Sequence, residues 1–124
     1  MIWKLKMDSS AKGLNRARKE AGKSTFSRAR MGAVITKGGR IISSGCNQTR
    51  YSKYAARNQF ESIHAEEAAI IQILRRPNGL QLLAGATIFI TRIKKDGSTG
   101  LAKPCEQCQG LIDAVGIKKI IFTT

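Results

Sequence analysis

The sequence contains few residues of several informative types. Of its 124 residues, 8 are Asp or Glu, 3 are Cys, 2 are Pro and 1 is His. Three cysteines, an odd number, argue against the disulfide framework of small secreted domains and favour thiols that stay reduced or bind a metal. The longest apolar run is far shorter than the ~20 residues that cross a bilayer, so no membrane partner is expected. The opening residues lack the apolar core of a signal peptide, which predicts a cytoplasmic protein.

Basic residues, in contrast, are abundant. Lys and Arg number 22, and the formal net charge is +14. Residues 1–57 hold 14 basic and 2 acidic residues, whereas residues 58–124 hold 8 and 6. Such an excess attracts polyanions, with nucleic acid first and an anionic surface second. Solubility alone is the alternative explanation, although a net charge of roughly 2–8 already suffices for it.

The hydrophobic pattern predicts one domain over residues 1–124, with residues 1–8 as a basic N-terminal arm. Residues 47–63 read as a long polar loop, and Gly38-Gly39 reads as a hairpin turn. The predicted elements, in chain order, are a helix at 11–21, strands at 31–36 and 40–44, a helix at 64–76, a strand at 86–91, a helix from Pro104 to Gly116 and a strand at 117–123. This order favours an α/β fold in which a mixed sheet carries helices on both faces.

Two short motifs carry recognisable chemistry. His64-Ala65-Glu66 opens the second predicted helix, and Pro104-Cys105-Glu106-Gln107-Cys108 opens the third. One imidazole and two thiolates suit zinc, and three protein ligands leave the fourth position for water. Glu66 can lie beside that position without binding the metal, and can carry a proton from water to a substrate nitrogen. This H-x-E and P-C-x-x-C pattern is typical of zinc nucleobase deaminases.

Other interpretations of the same residues remain open. Cys105 and Cys108 have the spacing of a thioredoxin-like redox pair, although such pairs usually follow a first strand and need no His-x-Glu. A structural zinc site requires a fourth protein ligand, for which Cys46 is the remaining cysteine. A zinc-stabilised module that binds nucleic acid without catalysis is the third alternative.

At these motifs the sequence resembles the cytidine deaminase superfamily, on the branch of deoxycytidylate and tRNA adenosine deaminases, and particularly its small phage-type members. The resemblance covers residues 23–123. Residues 23–35 resemble the segment that leads into the first strand of deoxycytidylate deaminases, Gly45-Cys46-Asn47 stands where the branch has G-x-N, and residues 116–120 resemble the segment after the Cys-x-x-Cys helix. If the protein is phage-encoded, its expected location is the host cytoplasm.

The resemblance implies a fold and a set of site residues. The fold is a three-layer α-β-α sandwich with a mixed central sheet, shortened at the C-terminus to about four strands. Zinc is the implied cofactor, with His64, Cys105 and Cys108 as ligands and Glu66 as proton shuttle. Asn47 is expected to contact the sugar, and the backbone amide of Ala65 the base carbonyl. Because family members generally continue past the fourth strand, the last strand is expected to need cover from the N-terminal segment or from a partner subunit in a homo-oligomer.

The expected reaction is deamination of cytosine to uracil, with adenine as the second choice of base. Residues 50–60, ahead of the metal helix, alternate basic and aromatic side chains. This basic and aromatic segment has a pattern typical of proteins that hold single-stranded nucleic acid. The residues predicted to contact such a DNA or RNA strand are Arg28, Arg30, Tyr51, Lys53, Tyr54 and Arg57. If the aromatic rings pack inward instead, free deoxycytidylate or cytidine becomes the expected substrate.

Overall fold

The computed structural model describes residues 2–3, 9–26, 29–51 and 60–124. Its helices are α1 (Ser9–Ala21), α2 (Ala65–Leu74), α3 (Gly79–Leu83) and α4 (Glu106–Ala114). Its strands are β1 (Ile2–Trp3), β2 (Ala29–Lys37), β3 (Arg40–Cys46), β4 (Gln48–Tyr51), β5 (Phe60–Ile63), β6 (Thr87–Lys94), β7 (Thr99–Gly100) and β8 (Lys119–Phe122). Every element predicted from the sequence is present in the predicted order, with α3 and four short strands in addition.

The main sheet has the strand order β1-β8-β6-β2-β3, and β7 pairs with β6 outside this path. The strands β1, β8 and β6 run parallel, whereas β2 is antiparallel to both β6 and β3. The four predicted strands form the contiguous part of this mixed sheet, because they are the segments rich in β-branched residues. The predicted α/β fold is therefore confirmed.

Helices cover the two faces of the sheet. On one face α1 buries Ala17 against Val34, Phe89 and Ile121. On the other face α2, α3 and α4 bury the larger core, whose fully buried members include Ile35, Ile70, Ile73, Ile88, Ile90, Ile112 and Ile120. These two cores make the molecule a three-layer α-β-α sandwich, as the resemblance implied.

Two predictions about connections have opposite outcomes. Gly38 and Gly39, with φ of 59° and 80°, form the turn between β2 and β3 and confirm the predicted hairpin. The polar loop predicted over residues 47–63 is wrong at both of its ends, because β4 and β5 pair there as an antiparallel ribbon. The short ribbon lies off the main sheet and contains few apolar residues, so it leaves no hydrophobic alternation in the sequence.

The outer edge of β8 carries β1, with Ile2 beside Lys119 and Trp3 beside Ile120. Of the two covers expected for this edge, the structure thus contains the N-terminal segment. The homo-oligomer stays a prediction. None of the helices in the described ranges is long and apolar enough to cross a membrane.

Candidate active site

The ends of two helices bring the motif residues together. His64 is the N-cap of α2 and Cys105 is the N-cap of α4, and both have extended backbones with ψ of 153° and 168°. Cys108 lies in the first turn of α4 and is 1% exposed. The predicted helix starts are thus confirmed, except that α4 begins at Glu106, two residues after Pro104, the start expected from the sequence.

The three side chains have the spacing of a zinc centre. The His64 Nδ1 atom lies 3.2 Å from Cys108 Sγ and 3.6 Å from Cys105 Sγ. All three donor atoms lie within 4.8 Å of one another. Zn–N and Zn–S bonds of about 2.1 and 2.3 Å in tetrahedral geometry separate nitrogen from sulfur by about 3.6 Å. One zinc ion therefore fits among these atoms with shifts of a few tenths of an ångström.

The donor group has three members in the described part of the chain. Cys46, the candidate fourth ligand of a structural site, lies outside it. Glu66 lies outside the group as well. The described residues therefore provide three protein ligands, which is the composition of a catalytic rather than a structural zinc site.

Glu66 is buried beside the donor group. Glu66 is 3% exposed, and its carboxylate accepts a hydrogen bond from the Cys108 thiol. Burial raises the pKa of the Glu66 carboxyl, while its own backbone amide, the charge of His64 and the bond with Cys108 oppose the rise. Burial, followed by the charge of Glu66, also raises the pKa of the Cys108 thiol. Zinc is bound by the thiolate form of cysteine, and a divalent cation would favour that form of Cys108 beside the Glu66 carboxyl.

A second glutamate holds the backbone of the metal ligand. Glu67, the third residue of α2, accepts a hydrogen bond from the His64 backbone N–H at 3.1 Å. This is one half of a capping box, and it fixes the point at which the chain enters the helix. Glu67 was not predicted from the sequence, although its position three residues after the cap is the usual signal for such a contact.

The first turns of α2 rest directly on β3. A side chain at Gly45 would place its Cβ 2.7 Å from the Ala69 nitrogen and 3.0 Å from the Ala65 carbonyl oxygen. Ser43, also on β3, donates a 2.6 Å hydrogen bond to the Ala69 carbonyl and lies 2.7 Å from Gln72 Oε1. The absence of a side chain at Gly45 and the buried hydroxyl of Ser43 together set the distance of α2 from the sheet.

The segment that leads into α4 is held by the end of the sheet. Thr123, directly after β8, accepts a 2.8 Å hydrogen bond from the Ala102 N–H and donates one of 2.6 Å from its hydroxyl to the Gly100 carbonyl. The Thr123 N–H in turn donates to the Ile90 carbonyl at 3.1 Å. Since Cys105 follows Ala102 by three residues, these bonds position the first sulfur of the site.

Asn47 braces the strand beside the site. Its Oδ1 atom accepts hydrogen bonds from the Ser24 hydroxyl at 2.6 Å and from the Met31 N–H at 2.8 Å. Its Nδ2 atom donates to the Ala29 carbonyl at 2.8 Å. Both lone pairs of Oδ1 are used, so a sugar hydroxyl that meets this side chain would accept from Nδ2. The predicted contact of Asn47 with the sugar stays a prediction.

The other predicted substrate contacts have different placements. Ala65 is buried as the first residue of α2, where a backbone N–H has no acceptor within the helix. Arg30 lies two residues before Gly32, which contacts α1, so strand alternation puts Arg30 on the side of the sheet away from α2. The structure thus does not bring Arg30 toward His64.

The remaining predicted contacts are Arg28 and four residues of the basic and aromatic segment. Tyr51 is the last residue of β4, where its backbone pairs with Phe60. The other four lie outside the described residues: Arg28, Lys53, Tyr54 and Arg57. Their roles toward a nucleic-acid strand stay predictions.

Comparison with known proteins agrees with this geometry. The family model of the cytidine and deoxycytidylate deaminase zinc-binding region matches residues 7–124. The fold is similar to the apo dCMP deaminase of the cyanophage S-TIM5, with a TM-score of 0.70, 23% sequence identity and coverage of 95% of this chain and 84% of that one. The same enzyme in complex with dCMP and dUMP gives a TM-score of 0.70, 20% identity and coverage of 96% and 83%.

A more distant similarity extends to another member of the superfamily. Cytidine deaminase from Mycobacterium tuberculosis matches with a TM-score of 0.55, 19% identity and coverage of 92% of this chain and 83% of that one. No curated protein matches the sequence significantly. The match to the family model over nearly the whole chain, together with the His64, Cys105 and Cys108 donor group, identifies the molecule. The chain belongs to the cytidine and deoxycytidylate deaminase zinc-binding family and is a zinc-dependent hydrolytic deaminase.

Proposed function

We propose that the protein converts the cytosine of free deoxycytidylate to uracil and releases ammonia. One observation carries the chemistry: a buried carboxylate, Glu66, lies beside three zinc donors without belonging to them. The choice of substrate is supported by a structural similarity that covers most of both chains. The similar protein is a phage enzyme whose structure is known in complex with dCMP and dUMP.

His64, Cys105 and Cys108 hold the zinc ion in this proposal. When bound, zinc supplies a Lewis acid that brings the pKa of water to about 7. Glu66 takes a proton from the attacking water and gives it to N3 of the cytosine while the water oxygen bonds to C4. Glu66 then moves the second proton to the amino group, the bond between C4 and the amine breaks, and ammonia leaves. The carboxylate ends in its starting state, so protons and atoms balance.

The burial of Glu66 suits this shuttle. A general acid and base works best when its pKa is near the operating pH, and burial moves the pKa of this carboxyl upward, toward neutrality. In this proposal the N–H of Ala65, at the start of the same helix, donates a hydrogen bond to the base carbonyl. Such a bond orients the ring so that the amino-bearing carbon meets the activated water.

Deamination of cytosine within single-stranded nucleic acid is the second candidate, and the net charge of +14 favours it. One nucleotide needs only a few cationic contacts, whereas a strand uses many. The basic and aromatic segment made a strand the substrate expected from the sequence. The similarity to a dCMP deaminase over most of both chains supports the free nucleotide instead.

The test incubates the zinc-loaded protein with deoxycytidylate, cytidine and a cytosine-containing oligonucleotide, and measures uracil and ammonia. We expect turnover of deoxycytidylate. Glu66→Gln is expected to lose about 100- to 10,000-fold in kcat because general acid–base catalysis is removed. Its zinc content, measured by elemental analysis, is expected to stay at one ion per chain.

Glu106→Gln is the matched control, since Glu106 is an exposed carboxylate in the first turn of the opposing helix α4. This variant is expected to keep its activity. Turnover of the oligonucleotide with none of the nucleotide would replace the first candidate with the second. Full activity in Glu66→Gln would remove Glu66 from the mechanism.

A further inference from the structure

A wide groove lies on the α1 side of the sheet. It encloses about 1030 Å³, at the upper end of the roughly 300–1,000 Å³ typical of small-molecule sites. Its floor contains Phe89 and Ile121, and Ile41 of the β2–β3 hairpin contributes an apolar surface that is 47% exposed. The floor belongs to the core under α1, whereas the zinc donors lie at the ends of helices on the opposite face. The groove is therefore a separate surface.

Cations line this groove. Five basic residues and no acidic residue are among those that border it. Lys12, Arg16 and Lys19 follow one another at intervals of four and three residues, so they share one side of α1. Successive members lie about 6 and about 4.5 Å apart along the helix axis, at a rise of about 1.5 Å per residue. Arg40 at the hairpin and Lys119 at the start of β8 complete the rim.

The charges on the rim are not neutralised within the described part of the chain. The salt bridge that joins Lys23 to Glu20 at 2.9 Å involves no residue that borders the groove. Like charges one turn apart slightly destabilise a helix, and a bound anion would relieve the repulsion between Lys12 and Arg16. The row of cations thus has the electrostatic complementarity expected for a chain of phosphates.

We propose that this groove binds the backbone of a single-stranded nucleic acid. The spacing along α1 suits the successive phosphates of an extended strand, while the exposed Ile41 side chain offers an apolar surface to a base. In a duplex the bases are paired and stacked inside, and a bilayer presents only headgroups, so either would meet the charged rim without using the Ile41 side chain. Because the groove lies across the sheet from the zinc centre, the bound strand is held independently of the reaction.

The experiment measures the affinity of fluorescent oligothymidine and oligouridine by anisotropy. Neither strand contains cytosine, so the result does not depend on the proposed deaminase substrate. The variant carries Lys12→Gln, Arg16→Gln and Arg40→Gln, three exposed positions whose replacement leaves the core intact. The matched control carries Arg75→Gln, Lys94→Gln and Lys95→Gln, which removes the same charge from exposed positions elsewhere. Thermal melting verifies that both variants are folded, and the three single substitutions replace the triple variant if it is not.

The groove variant is expected to bind at least about tenfold more weakly than the control at moderate salt. The plot of log K against log salt has a negative slope. Each lost phosphate contact makes it shallower by about 0.7 for a single strand. Three contacts therefore make wild-type binding lose about 20-fold more than that of the groove variant between about 50 and about 200 mM salt. An equal loss of affinity in both variants would show that binding depends on the net charge of the protein and not on the groove, which would overturn the proposal. Tighter binding to a duplex, or to vesicles of anionic lipid, would overturn the proposed occupant.

Discussion

Replacement of Gly45 by alanine tests whether the position of α2 on β3 controls the active site. The added Cβ atom would lie 2.7 Å from the Ala69 nitrogen and 2.8 Å from the Ala68 Cβ atom. Ordinary contacts between carbon atoms are about 3.5–4.0 Å, so the helix must move away from the strand by about 1 Å. Overpacking of this kind costs about 1–3 kcal/mol, which lowers the melting temperature of a domain of this size by about 4–12 °C.

The same movement displaces His64 and Glu66, because both lie at the start of α2. A shift of about 1 Å at a catalytic group can cost roughly 100-fold in rate, so kcat for deoxycytidylate is expected to fall by about that factor. Thermal melting, zinc content and steady-state kinetics measure the three consequences. A loss of activity is expected even under conditions where the protein remains folded.

Gly110→Ala supplies the control for Gly45→Ala. Gly110 lies in α4, and a Cβ atom there meets nothing within 4 Å. The change is expected to stabilise the protein by about 0.5–1 kcal/mol, since alanine favours the helix interior. An unchanged melting temperature and activity in Gly45→Ala would refute the idea that this glycine sets the height of α2.

The remaining predictions concern stability and thiol reactivity. Asn47→Ala is expected to lower the free energy of unfolding by about 1–3 kcal/mol in urea denaturation, because the hydrogen bonds that join its amide to the start of β2 are lost. Thr91→Val keeps the shape of a side chain that is 1% exposed but removes its 2.7 Å bond to a carbonyl of α1, so a loss of about 1–2 kcal/mol is expected. Removal of zinc by a chelator is expected to expose Cys105 to a thiol reagent, and readdition of zinc to protect it. Cys46 is expected to react slowly at neutral pH and faster as pH rises, because burial and then Glu20 raise the pKa of its thiol and reduce the thiolate fraction.

The metal donors were predictable from the sequence because their geometry is local. His64 precedes a helix, and Cys105 and Cys108 open another with a spacing that places both sulfurs on one side. The strands of the sheet interior were predictable for the same reason, since runs such as those around Val34 and Ile90 need only β-branched residues and a turn signal. What the local pattern cannot show is that two helix ends meet, and the family resemblance supplied that information.

Other features depend on contacts between distant segments. Asn47 was expected at the sugar, yet its amide bonds to Ala29, Met31 and Ser24, and only the folded chain shows these partners. The pairing of β1 with β8 joins the first described residues to the last strand through two residue pairs, too few to leave a pattern. The groove under α1 likewise combines residues from five elements, so its shape exists only in the tertiary structure.

The bonds made by Thr123 tie the metal centre to the end of β8. The segment that carries Cys105 is anchored where this residue pairs with Ala102 and Gly100. None of these atoms is a zinc donor, so a change at Thr123 acts on the metal centre only by displacing Cys105. A titration with zinc therefore doubles as a measure of local folding at a place that contains no ligand.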